Sequence, residues 1–170
     1  FVEVGGTVGD FENGFYIEAL RELAFEEPGS VCFVALTYII EPQALGEQKS
    51  KAAQLGVKRV MEQGIQPHII ACRASNPVNE KARQKISIYS NVPLERVISL
   101  HDSTSIYTIP TMLREHGMDF EVIRLLRIED RMNLRQERKA WGRWCDFTDR
   151  IGQAEHSVTV GITGKYTSVR

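Results

Sequence analysis

The chain has 170 residues, with 21 Lys plus Arg against 22 Asp plus Glu and a net charge of −1. A balance this even excludes a chain-wide basic field for nucleic acid or anionic lipid, so any anion site must be local. No stretch reaches the roughly 20 apolar residues of a membrane span, and the N-terminus lacks the basic-then-apolar layout of a signal peptide.

In chain order, an apolar strand is expected at 1–4, followed by a glycine loop and a helix at about 14–27. Pro28-Gly29 breaks that helix ahead of a second strand at 31–39. A helix at 49–63 ends at Gly64 and Pro67, before a third strand at 68–72. The second and third strands are nearly all apolar, as expected of strands covered by helices on both faces. Asn79 caps a helix over 79–90, with Ile86 and Ile88 on its apolar side. Pro93 turns the chain into a strand at 96–100, and helices follow at 103–116 and 119–127. From Glu129 the composition becomes highly charged, and a helix at 133–150 carries Trp141 and Trp144 on one face, as an interdomain connector would. The run Val158-Thr-Val-Gly-Ile-Thr-Gly-Lys165-Tyr reads as a last strand over 158–163. Apolar runs alternating with helical stretches predict an α/β fold with a mostly parallel sheet and flanking helices. Opening on Phe1 inside a strand and closing just after another reads as an internal segment of a longer protein.

Four groups of residues could carry chemistry. The first is Phe1-Val-Glu-Val-Gly-Gly-Thr-Val-Gly-Asp-Phe-Glu12, where Gly5, Gly6 and Gly9 admit close approach of a ligand. Its carboxylates Glu3, Asp10 and Glu12 suit a hard cation or hydrogen-bond donors. On composition alone such a loop is more often a tight turn than a ligand site. Second, Gly46-Glu-Gln-Lys-Ser-Lys-Ala-Ala-Gln54 brings Lys49, Ser50 and Lys51 to a helix start, where backbone N–H groups and the helix dipole favour phosphate. By themselves two lysines opening a helix are usually a solvated face, and the spacing is not that of a P-loop. Third, Lys85 lies in Asn79-Glu-Lys-Ala-Arg-Gln-Lys-Ile-Ser-Ile-Tyr-Ser-Asn91-Val-Pro. Fourth, Cys72-Arg73 and His101-Asp102 follow two strands, and ligands of open α/β sheets gather beyond strand carboxyl ends. The other titratable groups are less telling. Cys32, Cys72 and Cys145 are odd in number and far apart, which suits buried reduced thiols in a cytosolic protein. His68, His101, His116 and His156 have no zinc-ligand spacing and read as surface or loop residues.

These motifs resemble CTP synthase. The first run is similar to that family's E-V-G-G-T-V-G-D-I-E, departing at Phe11. The lysine loop resembles G-E-x-K-T-K-P-T-Q, with Ser50 for Thr and Ala52 and Ala53 for Pro and Thr. The third patch is similar to N-E-x-x-x-K-I-A-L-F-C-N-V-P. Asp102-Ser-Thr-Ser-Ile-Tyr107 resembles D-V-D-S-I-Y, with Thr104 in place of the second aspartate.

The resemblance implies an incomplete P-loop-type, Rossmann-like amidoligase domain. Residues 1–128 would be the C-terminal part of the synthetase domain, 129–156 a linker, and 157–170 the first strand of a glutamine amidotransferase domain. The family's reaction uses ATP to phosphorylate the 4-oxygen of UTP, and ammonia from glutamine then displaces phosphate to form CTP, which also inhibits. Carried over by position, Gly5, Asp10, Glu12, Lys49, Ser50, Lys51, Gln54 and Lys85 would hold UTP or CTP, in part across a subunit boundary of a homotetramer. Arg73 and Asp102 would lie at ATP, and Glu3 would ligate Mg2+. No residue here matches a catalytic group, because the family's phosphate loop precedes its first motif and its glutaminase cysteine and histidine lie downstream. A second reading is a non-catalytic, CTP-sensing module that controls assembly.

Overall fold

The computed structural model describes residues 1–42 and 46–164, which fall into two units, Phe1–Met132 and Asn133–Arg170. In the first, three strands form one parallel sheet in the order β1 (Val34–Tyr38), β2 (Ile69–Ala74), β3 (Val97–His101). Two crossover helices make the parallel pairing possible, α2 (Lys51–Glu62) between β1 and β2 and α3 (Glu80–Ser90) between β2 and β3. α1 (Gly14–Glu26) precedes the sheet, and α4 (Ile109–Glu115) and α5 (Met118–Leu125) follow it. The fold class is therefore the α/β arrangement expected.

Register sorts the side chains onto two faces. Ala35, Ile70 and Val97 are opposite one another, as are Leu36, Ala71 and Ile98. On the first face Ile70, Cys72, Ala74 and Val97 pack with Ala53 and Val57 of α2 and Ala82 and Ile86 of α3. On the second, Ile69, Ala71 and Ile98 meet Leu113 of α4 and Met118, Val122 and Leu125 of α5. β2 is the hub because it is paired on both edges and covered on both faces. Cys72 within it is buried deeply enough to push its thiol up to about 12, so the sulfur stays protonated and inert.

The helix ends follow local chemistry. The Asn79 side chain accepts a hydrogen bond from the Ala82 N–H at 2.9 Å and caps α3 as expected. The helix closes on Asn91 in the left-handed conformation, φ 55°, which asparagine tolerates.

Four expectations need correction. The apolar run 31–39 yields only the five residues of β1, an edge strand whose Val34, Leu36 and Tyr38 are exposed instead of covered. Its apolar character reflects one packed face, since α4 and α5 lie over β2 and β3. Residues 1–4 and 158–163 are not strands among the described residues. A strand is held by hydrogen bonds to a neighbour, and neither segment has one in the sheet. The helix expected at 103–116 begins only at Ile109, after a turn of 3-10 helix at Ile106–Thr108. Lys165 and Tyr166 lie outside the described residues.

Finally, His101 is not a loop residue, and His68, in the bend before β2, is not fully exposed. His101 ends β3, and the half-buried His68 stacks on Phe33, with ring centroids 5.8 Å apart. The Phe33 N–H donates to His68 Nδ1 at 2.9 Å, which requires that nitrogen to be unprotonated.

In the second unit, α6 (Leu134–Gly152) is capped by the Asn133 side chain, which accepts from the Gln136 N–H at 3.1 Å. Trp144 and Phe147 contact each other at 5.8 Å between ring centres. No helix among the described residues is long and apolar enough to cross a membrane.

The His68 environment sets a pH dependence. Burial, then the charge of Arg96, lowers its proton affinity below the ordinary histidine value. The unfolded chain binds the proton more readily, so this stability is complete above about pH 6.5 and drains away as pH falls. Burial lowers His116 in the same direction. The thermal midpoint should fall between about pH 6.5 and 5, and His68→Asn should flatten that slope while leaving the share of His116.

Candidate functional site

The carboxyl ends of the three strands converge polar groups. Arg73, the fifth residue of β2, donates from its guanidinium to the Leu100 carbonyl at 3.1 Å and to Asp102 Oδ1 at 2.6 Å. The Asp102 N–H in turn donates to the Ala74 carbonyl at 3.0 Å, carrying the pairing of β2 and β3 one residue further. Asn76 donates from its side-chain amide to Glu41 Oε2 at 2.8 Å, joining the segments that leave β2 and β1. Sequence reasoning brought Arg73 and Asp102 to this edge and the fold pairs them. Glu41 and Asn76 it missed, since nothing in their spacing marks them.

The lysine loop is fastened beside this edge. The Lys49 N–H donates to the Ile40 carbonyl at 2.7 Å, an isolated antiparallel bridge just past β1. Gly46 turns the chain with φ 56°, a conformation that favours glycine. Gln48 reaches across to the start of α3, donating to the Pro77 carbonyl at 2.9 Å and accepting from the Asn79 N–H at 2.8 Å. The exposed Lys49 ammonium meets Glu47 Oε2 at 2.7 Å. That contact holds the Glu47 carboxyl below its usual range, and Lys81 and Lys85 add their charge in the same direction. Lys49 and Lys85 therefore act on one locality, and Lys81 joins them unannounced by any motif.

Ser50 and Gln54 behave differently. Ser50 is buried, and its hydroxyl accepts from the Gln54 amide at 3.1 Å, so the two engage each other one helical turn apart. Lys51 is exposed and opens α2.

The glycine loop is folded on itself. Asp10 Oδ2 accepts from the Thr7 N–H at 3.0 Å, and the Asp10 N–H donates to the Thr7 carbonyl at the same distance. The Asn13 amide donates to the Gly5 carbonyl at 2.6 Å. A side chain on Gly6 would bring its Cβ within 2.9 Å of Asn13 Nδ2, and φ there is 75°, so glycine is favoured. The loop is thus a tight turn closed by its own hydrogen bonds. Val8, Gly9 and Asp10 line an open depression with Arg59, Glu62 and Gln63 from the last turn of α2 and the residue after it. Glu3 and Glu12 are exposed, and no three His, Cys, Asp or Glu side chains gather to hold a metal among the described residues. Mg2+ commonly takes one or two carboxylates and completes its shell with phosphates and water, so a single exposed Glu3 fits as one ligand, not as a cage.

Asp10 and the lysine loop lie at opposite ends of α2, whose 12 residues span about 18 Å. Within one chain Lys81 and Lys85 add their charge at the Glu47–Lys49 pair, and Asp10 lies at the far end of α2 from the lysine loop.

The profile of the family described as CTP synthase N-terminus matches residues 1–128. The chain belongs to the CTP synthase family. Among its relatives, the CTP synthase of Pyrococcus horikoshii is 38% identical over 170 residues, covering 99% of this chain and 30% of that protein. The CTP synthase of Methylorubrum extorquens is 36% identical over the same span, with the same coverage. The chain therefore spans about a third of the length of these relatives.

The approach of the lysine loop to α3 depends on a buried contact, the Val78 N–H donating to Ser99 Oγ of β3 at 2.9 Å. Ser99→Ala strands that N–H and should lower unfolding free energy by about 1–3 kcal/mol, read from denaturant melts.

Proposed function

We propose that this chain is part of the nucleotide site of a CTP synthase, a ligase of pyrimidine nucleotide synthesis that aminates UTP to CTP at the expense of ATP, with glutamine or ammonia as nitrogen source. The observation that carries this reading is the lysine loop. It is tied to β1 on one side and to the start of α3 on the other, with Lys49 in contact with the Glu47 carboxylate and Lys81 and Lys85 adding their charge to it from α3. That is the chemistry a nucleotide phosphate needs, in a position where open α/β sheets bind ligands.

In this proposal Lys49, Lys51 and Lys85 hold UTP or CTP phosphates. Ser50 and Gln54, bonded to each other across the first turn of α2, belong to the same nucleotide-binding set. Asp10 and Glu12, with the backbone of Gly5, serve the same nucleotide from another copy, because α2 separates them from the lysines within one chain. A homotetramer supplies that second copy. Arg73 and Asp102 present a rigid, charged rim to ATP. Glu3 contributes one ligand to Mg2+, whose charge, when bound, offsets that of the transferring phosphoryl group. Residues 1–128 are the latter part of the synthetase domain, 129–156 the linker and 157–170 the entry to a glutamine amidotransferase domain, in a cytoplasmic enzyme.

Two outcomes test this. In the full-length protein, Lys49→Ala or Lys51→Ala should raise the KM for UTP about ten- to a hundredfold, the loss of one charge-assisted phosphate contact, and affect ATP less. Equal effects on both nucleotides would count against it. Incubated alone with UTP, ATP, Mg2+ and ammonia, residues 1–170 should form no CTP above background, whereas the full-length protein should. CTP formed by the segment would locate the catalytic groups within it.

A further inference from the structure

Gln48 is the neutral residue between Glu47 and Lys49, and its amide is used at both ends. Nε2 donates to the Pro77 carbonyl at 2.9 Å and Oε1 accepts from the Asn79 N–H at 2.8 Å. Only a primary amide side chain offers a donor and an acceptor side by side to match a carbonyl and an N–H two residues apart. Neither partner is incidental. Asn79 is the cap of α3, and Val78 between them is anchored to the buried Ser99 of β3. The loop is therefore clamped to a rigid point of the sheet. On its other side the Lys49 N–H is bound to Ile40 at 2.7 Å.

Lys81 and Lys85 stand one turn apart on α3 and so share a face. Both reach the Glu47 carboxylate electrostatically, as does Lys49 at 2.7 Å. The exposed Lys49–Glu47 ion pair lies within the loop and so does not fasten it to α3, whereas the Gln48 amide reaches across to the start of that helix.

We infer that Gln48 is a positioning residue for the nucleotide phosphates: its amide clamp on Pro77 and Asn79 registers Lys49 against the Lys81 and Lys85 face of α3, so that the ammonium groups meet one anionic group together. The inference rests on the lysine loop being the UTP phosphate site. Gln48 touches no ligand itself and acts through Lys49.

The test is a double-mutant cycle in the full-length protein, with ammonia as nitrogen donor, measuring kcat and the KM for UTP and for ATP. Gln48→Leu removes both hydrogen bonds at similar volume. It should raise the UTP KM about tenfold while kcat and the ATP KM stay within about twofold. Added to Lys49→Ala, it should cost less than about a further twofold, because a residue acting through Lys49 has nothing left to position. Multiplying effects in the double variant, or equal losses for UTP and ATP, would overturn the inference, as would a UTP KM unchanged by Gln48→Leu. If Lys49→Ala itself leaves the UTP KM unchanged, the phosphate-site reading fails and this one with it. Should Gln48→Leu not give a cooperative melt, the same cycle with Gln48→Asn, too short to span both partners, decides the matter.

Discussion

Everything in the first unit depends on the double burial of β2. Its Ile69, Ile70, Ala71 and Cys72 are almost wholly shielded, Ile70 and Cys72 at 0% exposure. A strand so apolar on both faces must be paired on both edges and covered on both sides, because its backbone groups would otherwise be stranded away from water. Parallel partners β1 and β3 meet the first demand, helices α2 with α3 and α4 with α5 the second. Parallel pairing then has a consequence for chemistry. All three strands end at the same edge, so Glu41, Arg73, Asn76 and Asp102 are gathered there by topology.

The polar contacts at that edge carry little of the folding energy. The Arg73–Asp102 pair is 2.6 Å long but more than a third exposed on both sides, and such pairs contribute about 0–1 kcal/mol. Their worth is geometric. Arg73 also holds the Leu100 carbonyl, so the guanidinium has two fixed points and its remaining face is directed. Gln48 shows the same economy in neutral form, two ordinary hydrogen bonds that tie a charged loop to a rigid frame.

α2 sets the scale of the candidate site. At one end it receives the lysine loop, at the other it meets the glycine loop around Asp10. A rod of about 18 Å cannot be bent to bring its two ends to one small ligand, so residues that a motif reading puts in one set are divided within a single chain. β1, in turn, leaves Val34, Leu36 and Tyr38 exposed on one face, since α4 and α5 cover only its neighbours.

Much of this was legible in the residues. The alternation of apolar runs with helical stretches specified an α/β unit, and α1, α2, α3, α5 and α6 lie within two residues of their expected bounds, because caps and breakers such as Asn79, Pro28-Gly29 and Gly64 act through local backbone chemistry. The family followed from contiguous motifs, which survive without knowledge of packing. What stayed hidden was every property that depends on partners distant in sequence. Residues 1–4 and 158–163 have the composition of strands and pair with nothing in the sheet, since a strand is stabilised by its neighbour and not by its own residues. Ser50 looked like a phosphate donor and is buried against Gln54; Gln48, the variable position of the lysine motif, carries two hydrogen bonds to the start of α3. Local order and kinship are written along the chain, whereas which polar groups are left for a ligand is decided only when tertiary contacts have taken their share, because each N–H serves one strong bond and each oxygen has only its lone pairs to offer.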